Sequence, residues 1–416
     1  MQSDEIRVAA GAATPSIHQF GDKLRHPRTI AAFREFVAGM RHYRATGSTE
    51  RLAATPLLSI NLDLTTACDH ACGHCVDDEV INTGPKYSGD NVLHTIDTLA
   101  DRGLCSVILI GGGEPTLHPK FGDIVRHIKA RGLELGLVTH GGHAHKIVKV
   151  AEEFQPTDWV RFSIDAATNE TYQDIHFGQA GKKPRNTLAE ILSNGRSIKD
   201  ANPAIQLGYS YVVVPPGQEY HGRKLRDNID EIPGAAANAR EHGFTYLSLK
   251  PCLIKRELEG ETLMYGVRPD EIAALTARIR DRIAAAEAVA GDVRIVQSQN
   301  LVALLAGRLD VLREQPAICY AGFLRQVVSP FSIVHCPAWR GDVRAQVGTK
   351  LGYADPQAAA ATAAATVQNL LHFNATRTCA DIACFYNSMN RSIEHVIESD
   401  VPVEELEPST ARDTFL

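Results

Sequence analysis

The 416-residue chain predicts an α/β protein: a partial (β/α)6 barrel followed by a smaller C-terminal unit built from a β-hairpin and helices. Two observations predict it. Between Leu57 and Lys250, short apolar runs alternate six times with stretches of helical periodicity. Such alternation with short connections gives a parallel sheet wrapped by helices, which right-handed crossovers curl. After Lys250 the rhythm stops, and a different pattern of thiols, β-type runs and alanine begins.

Residues 1 to about 25 read as irregular. From Pro27 to Tyr43, the residues Ile30, Phe33, Phe36, Val37 and Met40 recur at helical spacing, so one amphipathic helix is expected to pack on the barrel. Leu57–Leu64 is the first strand, and Val92, Ile96 and Leu99 mark a helix stopped by Gly103. Cys105–Ile110 is the second strand, followed by a helix carrying Phe121, Ile124, Val125 and Ile128 that ends at Gly132. Leu133–Thr139 is the third, with Ile147, Val148 and Phe154 on the next helix. Trp159–Asp165 is the fourth, then a helix with Leu188, Ile191 and Leu192; Ile205–Val214 is the fifth, then a helix opening near Pro233; Phe244–Lys250 is the sixth.

Beyond it, residues 253–268 read as a linker, Ile272, Leu275, Ile279 and Ile283 as a long helix, Val293–Val296 as a short strand and Leu301–Leu305 as a helix. Gln326-Val327-Val328 and Ser332-Ile333-Val334 flank Ser329-Pro330 as a hairpin, and the alanine-rich run 358–366 continues through Leu371 as helix. The expected units are an N-terminal extension (1–55), the barrel (56–252), a helical linker (253–312), the C-terminal unit (313–400) and a tail (401–416).

A net charge of -6, from 43 basic and 49 acidic residues, argues against a nucleic-acid partner. Apolar runs such as Val212–Val214 are too short to cross a bilayer, and the first residues lack a cleavable signal pattern. Nine cysteines without a paired secreted framework suit a cytoplasmic protein whose reduced thiols are given to metal.

Three of those thiols, Cys68, Cys72 and Cys75, stand within eight residues at C-x3-C-x2-C spacing. Three thiolates are an incomplete set: they leave one iron of a [4Fe-4S] cluster open, or a zinc ion to be completed by His70 or His74. The sequence Gly111-Gly112-Gly113-Glu114-Pro115 follows about forty residues later. The triplet follows strand one and the glycine run strand two, so both lie on the rim where barrel chemistry collects. A second group, Cys319, Cys336, Cys379 and Cys384, supplies four thiols, enough to close either a cluster suited to electron transfer or a structural zinc site.

The triplet and the glycine run, in that order, resemble the radical S-adenosylmethionine (SAM) superfamily. The resemblance implies a TIM-like (β/α)6 barrel and a cluster whose open iron binds SAM. It assigns Gly112, Gly113 and Glu114 to the SAM methionyl amine, and Ser163 and Asp165 of Arg161-Phe162-Ser163-Ile164-Asp165-Ala166 to its ribose or carboxylate. Thr139 and His140 are further candidates, whereas a cap for the following turn is the bland role for Asp165. His118, His143 and His145 read as surface or rim residues. His74 stands where the family has an aromatic residue.

The four later cysteines resemble the SPASM domain in its shortened twitch form, which implies an auxiliary [4Fe-4S] cluster. Phe331 stands where that family has a hairpin glycine. The resemblance further implies a reductant such as flavodoxin or ferredoxin, and a 5′-deoxyadenosyl radical that takes hydrogen from substrate. Lys250-Pro251-Cys252 closes strand six at the rim, so Cys252 is a candidate hydrogen donor and Lys250 a candidate base or carboxylate ligand; Cys105 reads as structural. Peptide-modifying relatives carry a larger N-terminal module than the 55 residues expected here. The expected substrate is therefore small and polar, an amino sugar, aminocyclitol or modified amino acid, undergoing dehydrogenation or dehydration in natural-product biosynthesis. Peptide maturation, epimerisation and a non-catalytic zinc or iron-sulfur protein are the alternatives.

Overall fold

In the computed structural model, residues 20–178, 185–220, 222–256, 260–263 and 269–409 are described. The expected irregular start, much of the 253–268 linker and the end of the tail lie outside these residues.

One ten-stranded sheet organises the molecule. Its strands are β1 Ser59–Leu62, β2 Ser106–Leu109, β3 Glu134–Thr139, β4 Trp159–Ser163, β5 Gln206–Val213, β6 Tyr246–Pro251, β7 Arg294–Gln297, β8 Arg325–Val328, β9 Ser332–Val334 and β10 Gln346–Thr349. Their order is β7-β6-β5-β4-β3-β2-β1-β8-β9-β10. All pairs from β7 to β8 are parallel; β9 and β10 are antiparallel additions. The six expected strands are therefore joined by two more. The run near Val293 pairs with β6 as a seventh parallel strand, and the first arm of the C-terminal hairpin pairs with β1. Residue patterning identified both runs, but partner strands distant in sequence decided their place.

The helices of nine residues or more are α1 Ile30–Thr46, α2 Gly89–Asp101, α3 Phe121–Ala130, α4 Asn169–Phe177, α5 Leu188–Ala201, α6 Ile232–Glu241, α7 Pro269–Val289, α8 Pro356–His372 and α9 Asn387–Glu398, and the expected helix at Leu301–Leu305 is present as Gln299–Leu305. The helix expected around Ile147 is only Ala144–Val148 and a 3-10 turn, Ala151–Glu153. Helix α4 had no counterpart in the sequence reading. Thr168 caps it by accepting from Thr171 N, and Tyr172, Ile175 and His176 form its buried i, i+3, i+4 face. Part of the expected linker, Leu253–Arg256 with Gly260–Leu263, is an antiparallel hairpin.

The strands alternate strictly. Ile60, Leu62, Val107, Leu109, Leu135, Leu137, Val160, Phe162, Leu207, Tyr209, Leu247 and Leu249 join the helices in one buried core; their neighbours in sequence face the barrel lumen. A second core belongs to the C-terminal unit and includes α1. Here the structure corrects the expectation that α1 packs on the barrel. Phe36 stacks on Phe323 at 4.0 Å and meets Tyr320 edge-on at 5.9 Å. Arg41 donates to the carbonyls of Val396 and Ser399, both at 2.7 Å, at the open end of α9.

Candidate functional site

The cysteine loop after β1 is fixed by its backbone. Ala71 N donates to His176 O at 2.8 Å and Gly73 N to Ile175 O at 2.9 Å, tying it to the last turn of α4. Asn82 grips the main chain of Cys68 with two hydrogen bonds of 3.0 Å. On the other side Glu114 N donates to Ala67 O at 2.8 Å. A Cβ on Gly113 would stand 2.5 Å from Ala67 O, so glycine is what lets the turn after β2 lie against the loop.

Burial, then the neighbouring thiols Cys75 and Cys68, pushes the Cys72 thiol well above its ordinary value; burial and Asp77 push Cys75 up. Sulfurs that raise one another in this way share a neighbourhood, and a bound cation is what makes such thiolates stable. The donor set fits a metal cluster. Cys72 Sγ lies 3.1 Å from His176 Nδ1, while His176 Nε2 donates to Ile164 O at 2.8 Å. Histidine alternatives are also at hand: His70, Cys72 and His176 offer ligand atoms within 4.8 Å of one another. His70 is stacked on His140 at 3.8 Å, and neither of its buried ring nitrogens has a hydrogen-bond partner.

The predicted SAM residues separate on inspection. The Glu114 side chain is 3% exposed and spent inside the protein: Oε1 accepts from Thr116 N, Thr116 Oγ1 and Thr139 Oγ1, and Oε2 from His140 N. Both the Glu114 and Thr139 side chains thus join the glycine turn to the end of β3. Gly111 and Gly112 adopt φ of 61° and 64°, a left-handed turn open to glycine. Asp165, also left-handed at φ 57°, accepts from Val212 N at 2.7 Å and meets His74 Nε2 at 3.1 Å. It is not the cap of α4, which is Thr168. Ser163 closes β4 on the lumen side, half-buried.

His118 is interior rather than on the rim: Lys120 N donates to its Nδ1, so Nε2 carries the proton donated to Tyr87 O at 3.0 Å. His143 is on the rim as expected and pairs with Asp69 at 3.0 Å; His145 is exposed. His140 also meets Asp69, through Nε2 at 2.8 Å. Cys105 is buried. Lys250 faces the lumen from β6. Burial, then Arg161, lowers its ammonium to about 7 against the pull of Asp165. Cys252 packs with Val214 and Tyr220, and burial pushes its thiol up to about 12.

Sequence reasoning overlooked Arg340. Its Nη1 donates to both carboxylate oxygens of Asp77 (2.8 and 2.9 Å), while Nη2 donates to Asp63 Oδ1 at 3.3 Å and Nε lies 3.0 Å from Asp63 Oδ2, just beyond β1. Four residues beyond Cys336 and two beyond Cys75, this contact links the two cysteine regions. No local pattern announces a partner so distant in sequence.

Cys319, Cys336, Cys379 and Cys384 lie near enough to act on one another electrostatically. Burial, then the other three thiols, raises Cys336, and burial takes Cys379 up to about 12. Asn390 Nδ2 donates to Cys319 Sγ at 3.9 Å, and the backbone amides of Ala321, Ala338 and Tyr386 act against burial on Cys319, Cys336 and Cys384. Tyr320, Trp339 and Tyr386 wall the site. Four thiols with amide donors fit a closed cluster or a zinc ion. The hairpin turn dispenses with glycine: Ser329 Oγ accepts from the amides of Phe331 and Ser332, leaving Phe331 42% exposed.

The family model of the Radical SAM superfamily matches residues 62–224. These residues form a radical SAM domain. The family is one of enzymes that use a [4Fe-4S] cluster and SAM, and the matched span contains the cysteine triplet and the glycine turn. A SAM-dependent nucleotide dehydratase of Selenomonas ruminantium is 27% identical over 163 residues, 37% of this chain and 56% of that protein. The mycofactocin maturase MftC of Mycobacterium tuberculosis is 31% identical over 120 residues, 28% of this chain and 30% of that one. The chain thus spans about half the length of the first of these relatives, or less.

Among solved structures, Streptococcus suis SuiB bound to precursor peptide SuiA aligns with TM-score 0.53 at 12% identity, covering 72% of this chain and 65% of that one. Native anSMEcpe with bound AdoMet and the Cp18Cys peptide aligns with TM-score 0.53 at 14% identity, covering 82% and 96%. Both likenesses concern the fold, including the region beyond the radical SAM domain. No described helix is long and apolar enough to cross a membrane.

Proposed function

We propose that the chain is a radical SAM oxidoreductase or lyase acting on a small polar substrate, with Cys68, Cys72 and Cys75 holding the SAM-binding cluster. Cys319, Cys336, Cys379 and Cys384 hold an auxiliary cluster that conducts electrons. When bound, cluster and SAM supply a 5′-deoxyadenosyl radical that abstracts a hydrogen atom. The protein's own work is positioning and exclusion of water. The backbone of Gly111, Gly112 and Gly113 receives the methionyl end, with Glu114 and Thr139 keeping that turn in register. Ser163 faces the ribose and carboxylate side, and the Asp165–His74 pair fixes the adjoining strand end.

The observation that carries the reading is a loop with three thiols within eight residues, stapled to a glycine turn at the C-terminal mouth of a parallel barrel. The dehydratase relative supports loss of water from the substrate radical; the maturase relative and the SuiB likeness support a peptide substrate instead. Epimerisation is kept as a second reading by the place of Cys252, a buried thiol just past the end of β6 beside Val214 and Tyr220, since a thiol can donate a hydrogen atom.

Anaerobic reconstitution tests the main reading. Expected are about eight iron atoms per chain and 5′-deoxyadenosine on reduction with SAM, supplied through a flavodoxin- or ferredoxin-type donor. Zinc at either site with no SAM cleavage would overturn it. Solvent deuterium entering product, and vanishing in Cys252→Ala, would select epimerisation.

A further inference from the structure

Resting on that reading and deepening it, we propose that Arg161 and Lys250 form an anion subsite in the barrel lumen that takes a carboxylate or phosphate of the substrate. Strand alternation puts both side chains inside. Val160 and Phe162 of β4, and Leu247 and Leu249 of β6, belong to the outer core, so Arg161, Ser163, Ser248 and Lys250 point the other way.

The lumen has a built floor. A Cβ on Gly136 would stand 2.4 Å from the Trp159 ring, and one on Gly208 would stand 2.2 Å from the Tyr246 ring. These two glycines leave room for aromatic rings laid across the neighbouring strands. The Arg161 guanidinium rests 5.1 Å from the centroid of the Trp159 ring, a geometry that favours the cation. Above that floor the polar groups lack protein partners. Arg161 is 8% exposed, and its Nε, like the hydroxyl of Ser248, is buried without a hydrogen bond.

Buried guanidinium groups normally carry a carboxylate. Asp165 is the carboxylate that both cations sense, yet its oxygens are engaged by Val212 N and His74. Buried Arg161 and half-buried Lys250 therefore line one lumen without a dedicated counter-ion among the described residues, and Arg161, after burial itself, lowers the Lys250 ammonium. An anionic group between them would meet the arginine fork, the ammonium and a serine hydroxyl. The register puts Arg161 beside Gly208 and Lys250 beside Val212, so an anion held there leaves the rest of a substrate directed towards the cysteine mouth.

Titration calorimetry and thermal unfolding of the full-length, anaerobically reconstituted protein test the subsite, with inorganic phosphate and acetate as probes and sodium chloride as the ionic-strength control. One of the two probes is expected to bind saturably, and which one assigns the anion class. Arg161→Met and Lys250→Met should each weaken that binding about tenfold or more, whereas Arg161→Lys and Lys250→Arg, which keep the charge, should recover most of it. The spectroscopic change of the reduced cluster on adding SAM should be the same in all four variants. Failure of both probes to bind saturably, or unchanged binding in the methionine variants, would overturn the subsite; loss of the SAM-induced change would transfer it to the carboxylate of SAM. Anion binding without SAM cleavage would sink the radical SAM reading and leave the subsite standing.

Discussion

The two cysteine regions differ in nearly everything except their thiols. The triplet sits on one loop among ionisable partners: His176 at Cys72, Asp69 between His140 and His143, Asp165 against His74. The quartet is drawn from four places in the chain and enclosed by aromatic rings and amide donors. One region offers fewer sulfurs than a cluster has metal corners and surrounds the remainder with polar groups. The other offers a full set, with Cys336 and Cys379 buried and Cys319 and Cys384 half-buried. An incomplete, polar site exchanges ligands, while a complete one walled by aromatic rings is built to be left alone.

The largest effect expected from this contrast is on catalysis. Cys72→Ala should abolish SAM cleavage and lower iron from about eight to about four per chain, measured by product analysis and iron assay. Cys336→Ala should remove a similar amount of iron yet leave SAM cleavage without substrate detectable. If both variants lose SAM cleavage alike, the division of labour fails.

Next comes the contact joining the two regions. Arg340→Ala leaves Asp63 and Asp77 facing each other, with Asp63 1% exposed, and should destabilise the fold by about 3 kcal/mol in denaturant unfolding. Arg340→Lys keeps a charge but has one nitrogen where arginine sends Nη1 to Asp77 and Nη2 to Asp63, so a smaller loss is expected. No loss in either variant would mean that the regions are held together elsewhere.

The smallest effect has the opposite sign. Lys250→Met should raise the melting temperature by a few degrees, because it removes a buried cation. Burial, then Arg161, lowers the native ammonium from 10.5 to about 7, opposed by Asp165. The native state therefore binds this proton less tightly than the unfolded chain does. The gain should be full below about pH 7, shrink as pH rises and vanish near 10.5. In the quartet region, where apolar packing is satisfied, Met389→Ala should only destabilise, by about 2–4 kcal/mol. A lysine variant without any pH-dependent gain would remove the claim that the lumen stores instability for a ligand.

Much of this was legible in the residues. Period-two and helical patterns located the six barrel strands, because those strands are buried on one face by their own crossover helices. Cysteine spacing marked both thiol groups, since the triplet needs only a short loop and the quartet was recognisable by count. Glu114 illustrates the limit. Its place in the motif was plain, but whether its carboxylate meets a ligand or Thr116, Thr139 and His140 depends on atoms from the next strand. Helix α4 escaped because its apolar face is only Tyr172, Ile175 and Phe177, too short a pattern to stand out.

The sequence by itself determined the alternation that makes a parallel sheet, the incomplete set of three thiols and the complete set of four, because each depends on spacing along the chain. Tertiary structure alone decided that β7 and β8 extend the sheet at its two edges, that α1 serves the C-terminal core, that Arg340 joins Asp63 to Asp77, and that Arg161 and Lys250 share a lumen. These depend on partners between tens and hundreds of residues away, whose meeting is governed by complementary faces and paired charges that no local window contains.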